Sequence, residues 1–251
     1  MNGQLVELAN LPSRGYSYPK DIEIYVKPLK IKEQIDMDRY GISSAEYFRM
    51  VLDGITIQGN FNKENLLHSD VQFLDIVRRL FSFDTKEEII LKDCVCKNPE
   101  CKCKFDYKFK VADLTFTDFN EDIFGKHFKF NEGDEEEELE IVVSPITTAE
   151  FMKMSKEFKT LKDKKTALST MYTEYICACT REVVERNFRD LKDRNSFLKS
   201  YIGDLYLAKD KKTCRQIVDE TLVKLKPFKV ICEDCGEETE VEVTPSSNFQ
   251  Q

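Results

Sequence analysis

No stretch of this sequence approaches the ~20 apolar residues that a membrane-spanning helix needs. Its opening, MNGQLVELAN, lacks both the basic start and the apolar run of a secretion signal. We therefore expect a chain neither embedded in a bilayer nor exported by the usual route. Histidine is nearly missing: His68 and His127 are the only two, and neither stands in a spaced ligand or acid–base pattern, so surface or capping roles are expected. No G-x-S-x-G, P-loop, H-E-x-x-H or G-x-G-x-x-G string occurs, which leaves no catalytic or cofactor-binding constellation and gives no reason to expect a small-molecule substrate. Positive charge is in deficit too. With 38 Lys and Arg against 46 Asp and Glu the net charge is −8 and the pI about 5.1, a field that repels nucleic acid and anionic membrane. Tryptophan is absent, which decides nothing about function.

Cysteine, by contrast, is plentiful. Nine cysteines in a chain without a secretion signal, and an odd number of them, argue for reduced thiols rather than a disulfide framework. Six fall in two compact clusters, DCVCKNPECKCKF and ICEDCGEE, and such clusters in a cytosolic chain point to metal, here structural zinc. In the first, Cys94, Cys96, Cys101 and Cys103 lie symmetrically about a turn containing Asn98 and Pro99. If that turn closes a hairpin, Cys96 faces Cys101 and Cys94 faces Cys103. In the second, Cys232 and Cys235 form a C-x-x-C-G knuckle, with Gly236 free to take a left-handed conformation after the second sulfur.

Zinc in a closed structural site takes four ligands, and six are on offer. Cys96 and Cys101 could pair with Cys232 and Cys235 as a zinc ribbon tying the middle of the chain to its end. Alternatively Cys94, Cys96, Cys101 and Cys103 could close a local site, or the thiols could hold no metal. Cys177, Cys179 and Cys214 sit in helical patterns and read as small buried hydrophobes.

The pattern along the chain predicts an α+β fold. Ile22, Ile24 and Val26 alternate as a strand, and a Ser43-x-x-Glu46 capping box opens a helix. A second helix beginning near Ser69 spaces Phe73, Ile76, Val77 and Leu80 for burial of one side. Phe105, Tyr107 and Phe109 alternate again as a strand. The regions expected are 1–131, N-terminal strand and helices with the first cysteine hairpin; 132–138, a solvated acidic loop dividing the chain; 139–226, a helical stretch of roughly four helices opened by a Thr147-x-x-Glu150 capping box; and 227–251, a second knuckle hairpin and tail. Lys153, Lys156, Lys159, Lys162, Lys164 and Lys165 make the start of the helical stretch basic, which reads as a solvated helix face partly neutralised by Glu135 to Glu138.

The string LPSRGYSYPKDIEIYVKPL at 11–29, with Leu11, Pro12, Ser13, Arg14, Gly15, Tyr18, Pro19, Pro28 and Leu29, resembles the entry segment of small baseplate-hub and hub-assembly proteins of T-even-type contractile-tailed bacteriophages. The likeness continues through an apolar helix at 44–54, the Ser69–Asp70 helix ending in Arg78-Arg79-Leu80, and a strand with a cysteine knuckle. It returns in the ending CEDCGEETEVEVTPSSNFQ. The doubled C-x-C arrangement is richer in cysteine than the usual knuckle, and the segment before Ser69 is Asn-rich. The resemblance implies a non-enzymatic structural or assembly protein that binds other phage tail and baseplate proteins. It would act in the host cytoplasm during assembly and either stay in the virion or leave as a chaperone. The Arg14-Gly15-Tyr16 segment would then be a partner-facing loop or an internal brace.

A rival from another class is a zinc-ribbon adaptor that binds nucleic acid or the transcription machinery. Lys92, Lys97, Lys102 and Lys104 flank the first knuckle, whereas Glu233, Asp234, Glu237 and Glu238 flank the second, and that mixed sign disfavours specific nucleic-acid contact.

Overall fold

Ile24 and Val26 have no solvent exposure, because the strand that carries them is the middle one of a three-stranded sheet. The computed structural model describes residues 3–37, 39, 42–81, 88–110, 113–131, 138–157, 164–203, 208–243 and 249–250. Strands β1 (Gln4–Val6) and β2 (Glu23–Val26) pair antiparallel, and the next strand, β3 (Ile55–Gln58), adds to the other edge of β2. Between β2 and β3 lie α1 (Ile31–Met37) and α2 (Ser44–Asp53). The start of α2 is fixed locally: the Ser43 hydroxyl accepts the Glu46 backbone N–H at 3.2 Å.

Helix α3 (His68–Leu80) departs from the one-sided burial its spacing predicts. Twelve of its thirteen residues are buried, charged ones included, because each charge meets a partner from a distant segment. Asp70 accepts the Ser13 N–H at 2.9 Å, the Ser13 hydroxyl at 2.5 Å and the Tyr18 hydroxyl at 2.5 Å. The Arg78 guanidinium donates to the Lys27 carbonyl at 2.9 Å and pairs with Glu33 at 3.0 Å. Arg79 bonds the Tyr47 hydroxyl at 3.1 Å, and that hydroxyl in turn donates to Asp75. His68, expected near the surface, is buried and stacks on Phe151 with ring centroids 3.6 Å apart. His127 is exposed and bonds Glu140 at 2.5 Å. Leu11, Pro12 and Ser13 are buried while Arg14 and Tyr16 are exposed, so the entry segment braces α3 from within and turns its tip outward. Arg14 and Gly15 both take positive φ, 53° and 68°.

Next come β4 (Ile89–Val95) and β5 (Lys104–Phe109), an antiparallel hairpin. Strand β6 (Lys126–Phe130) pairs with β7 (Leu139–Val143), so the 132–138 segment joins neighbouring strands of one sheet instead of separating two regions. The acidic loop itself lies outside the described residues apart from Glu138, which pairs with Lys129 at 2.8 Å. Four helices follow: α4 (Thr148–Glu157), α5 (Lys164–Cys179), α6 (Leu191–Gly203) and α7 (Ala208–Thr221). The 139–226 stretch is not wholly helical. It holds β7 and also β8 (Thr180–Val183), which pairs with β7.

The Thr147 box closes in both directions: the Glu150 N–H donates to the Thr147 hydroxyl at 3.2 Å and the Thr147 N–H to the Glu150 carboxylate at 2.8 Å. Lys153 and Lys156 are exposed on α4; the side chains of Lys159, Lys162, Lys164 and Lys165 lie outside the described residues. The chain then makes β9 (Phe228–Ile231) and β10 (Glu238–Val241), an antiparallel pair, and β11 (Phe249–Gln250), which joins β4.

The fold is α+β, built from small antiparallel sheets with helices packed on them. The described residues form three interior clusters. One lies between the β1–β3 sheet, α2 and α3. A second lies between the β6–β8 sheet and α4 to α7, and it takes in Cys177 and Cys179, with Cys214 packed at its margin. The third joins Ile76 and Leu80 of α3 to Ile89, Leu91 and Phe109 of the hairpin and to Val241 and Val243. No helix among the described residues is long and apolar enough to cross a membrane.

Candidate metal centre

The first knuckle sits at the tip of the β4–β5 hairpin, and its register differs from the symmetric expectation. Cys94 pairs with Phe105 and Val95 with Lys104, and the Cys96 N–H donates to the Cys103 carbonyl at 3.0 Å. Cys96 therefore faces Cys103, not Cys101. Two features of the backbone cause the shift. A β-bulge sets Lys92 and Asp93 opposite Asp106, with Asp93 at φ 59°. At the tip the Asn98 carbonyl accepts from both Cys101 and Lys102, while its side chain accepts the Glu100 N–H at 2.9 Å. This wide turn carries Cys101 off the ladder and toward the second knuckle.

That second knuckle is the β9–β10 turn. The Gly236 N–H donates to the Cys232 carbonyl at 2.8 Å and the Cys232 N–H to the Glu237 carbonyl at 3.0 Å. Gly236 supplies the positive φ of 72° that the turn needs. Thr239 bolts the two hairpins together: its hydroxyl accepts the Lys97 N–H at 3.2 Å and lies 3.8 Å from the Cys96 sulfur. Outside, Lys97 pairs with Glu237 at 3.5 Å.

Between the turns the ligating atoms of Cys96, Cys101, Cys232 and Cys235 all lie within 4.8 Å of one another. The Cys96–Cys235 and Cys101–Cys232 sulfur separations are 3.6 and 3.9 Å. Four Zn–S bonds of about 2.3 Å in a tetrahedron put sulfurs about 3.8 Å apart. The four cysteines could thus hold a metal ion, and four thiol donors suit a soft or borderline cation. The nine cysteines are all free thiols.

Cys94 and Cys103 do not belong to that tetrahedron. Cys94 is buried on β4, two residues before Cys96 and nearer the core, where it packs among Ile89, Leu91 and Phe109 and its sulfur contacts the Leu91 carbonyl at 3.6 Å. Burial pushes its thiol up, as an apolar site does to any thiolate. Cys103 approaches the Cys232 sulfur to 3.1 Å, closer than two ligands of one tetrahedral ion stand. The hydrogen bond from Cys103 holds the Cys232 thiol down, to about 6, aided by backbone donors of the knuckle, and a thiolate is the form that ligates. Sequence reasoning missed Thr239. The burial alternation of β10 turns Thr239 inward, a signal that the pattern T-E-V-E-V carries.

Comparison with family models, with curated proteins and with solved structures finds no match.

Proposed function

We propose that the chain is a non-enzymatic structural or assembly protein of a bacteriophage tail baseplate, acting at the hub by binding other tail proteins, and that the ion in its cysteine site is zinc. The observation that carries this reading is the meeting of the segments on which the resemblance rests. Ser13 and Tyr18 of the entry string both donate to Asp70 of the Ser69–Asp70 helix, so motifs separated in sequence form one buried network. Four thiols closing on one point support a structural ion, since such a site leaves no open position for substrate.

The place of action is the host cytoplasm during assembly. Across the knuckles the Lys97–Glu237 pair cancels charge where an adaptor would present a basic face to phosphate, which weighs against the rival class. A tagged chain, expressed with the neighbouring tail genes, tests the proposal by mass analysis of what co-purifies from assembly intermediates and from mature particles. Specific recovery of tail proteins supports it. A chain that purifies alone from such cells overturns it.

A further inference from the structure

We propose that Cys101, Cys103 and Asp234 form a second cation site beside the first, with the Cys101 sulfur shared between two ions. The inference rests on the reading of the first site as a metal centre. Its ground is a surplus of donors. One tetrahedral ion uses Cys96, Cys101, Cys232 and Cys235, yet a fifth thiol, Cys103, stands at the same point instead of packing in the core as Cys94 does.

The ligating atoms of Cys101, Cys103 and Asp234 lie within 4.8 Å of one another, a span close to what two bonds of about 2.3 Å to one ion cover. Two thiols and a carboxylate are a donor set that zinc accepts. A thiolate sulfur has lone pairs enough to bind two cations, so Cys101 can serve both sites without leaving the first. On binding, the Cys103 proton passes to solvent and a Cys103–metal bond takes its place.

The two sites differ in character. The first is closed by four sulfurs. The second has three protein donors on the partly exposed side of the ribbon, with Asp234 exposed, and so keeps one coordination position for water. It binds more weakly and exchanges faster than the first.

The test is an ion count on the full chain. Protein purified without chelator is titrated with zinc alone and examined by native mass spectrometry beside Cys103→Ser, a variant that leaves all four ligands of the first site in place. Two ions on the wild type and one on Cys103→Ser are expected, with the second ion released first as chelator is added. One ion on both proteins, or two on both, overturns the second site while leaving the first intact. No ion on the wild type overturns the first site as well. Cobalt loading gives an independent readout: the second equivalent should change the visible spectrum of the wild type and leave that of Cys103→Ser unchanged.

Discussion

The sulfurs of Cys96 and Cys235 stand 3.6 Å apart although 139 residues separate them along the chain. An ion bound between them closes a loop that takes in the β6–β8 sheet and all four helices α4 to α7. A link across so long a loop constrains the unfolded chain strongly.

The double variant Cys232→Ser, Cys235→Ser should therefore lose its tetrahedral ion and melt well below the wild type, and Cys96→Ser, Cys101→Ser should behave alike. Metal analysis and thermal unfolding of both proteins check this. If the C-terminal double variant kept its metal and its melting temperature, the long-range site would be wrong.

His68 gives a prediction in acid. Burial between Phe48 and Phe151 lowers its pKa from 6.5 to about 3. Between those values the unfolded chain binds a proton that the folded chain does not, so this contribution to stability is present above pH 6.5 and drains away as pH falls toward 3. His68→Leu should flatten that part of the stability–pH curve, as read by denaturant unfolding at stepped pH. An unchanged slope would count against a buried neutral imidazole.

Asp70 works in the opposite direction. Burial raises its carboxyl above the ordinary 3.8, against the hydrogen bonds from Ser13 and Tyr18. The folded chain then holds the extra proton, so this group favours folding at the acid end of the window and loses that contribution as pH rises through the folded value. The stability of Asp70→Asn relative to wild type should improve as pH climbs from about 4. A difference that moves the other way would show the carboxylate to be better solvated than its burial implies.

Gly54 tests packing without strain. Its φ is −81°, which any residue adopts, but an added Cβ would overlap the Arg78 guanidinium. Since Arg78 is held by Lys27, Met50 and Glu33, it cannot step aside cheaply. Gly54→Ala should cost about 3 kcal/mol, seen as a lowered denaturation midpoint. A neutral result would mean that Arg78 has another place to go.

What the sequence made legible was local. The Ser43 cap on the Glu46 N–H and the two-way Thr147–Glu150 box form because each needs only a single turn of backbone. The alternation of Ile24 and Val26 likewise needs only a strand. The rest depended on distant partners. Nothing around Asp70, Asp75, Arg78 or Arg79 says that Ser13, Tyr18, Tyr47 and Lys27 will come to meet them, so a helix buried all round reads as one buried on a single side. The hairpin register was lost to the wide turn at Asn98 and the bulge at Lys92–Asp93 together, since each extra residue moves the pairs beside it. Strand β8 hides between helices because Thr180–Val183 pairs with β7 rather than with a sequence neighbour. At the metal centre the choice of four sulfurs from six was open in the sequence. It turned on where the Asn98 turn carries Cys101 and where the core draws Cys94.

The ribbon also sets an order of events during synthesis. Cys101 leaves the ribosome 131 residues ahead of Cys232, a lag on the order of ten seconds at ordinary translation rates. Small domains fold faster than that, so the N-terminal sheet has time to settle on α3 before a complete ligand set exists. Val241 and Val243, which finish the core beneath the hairpin, emerge later still. Capture of an ion between these thiols would thus be a late step that seals a chain already largely folded, and a prematurely terminated chain would carry unpaired thiols in place of the seal.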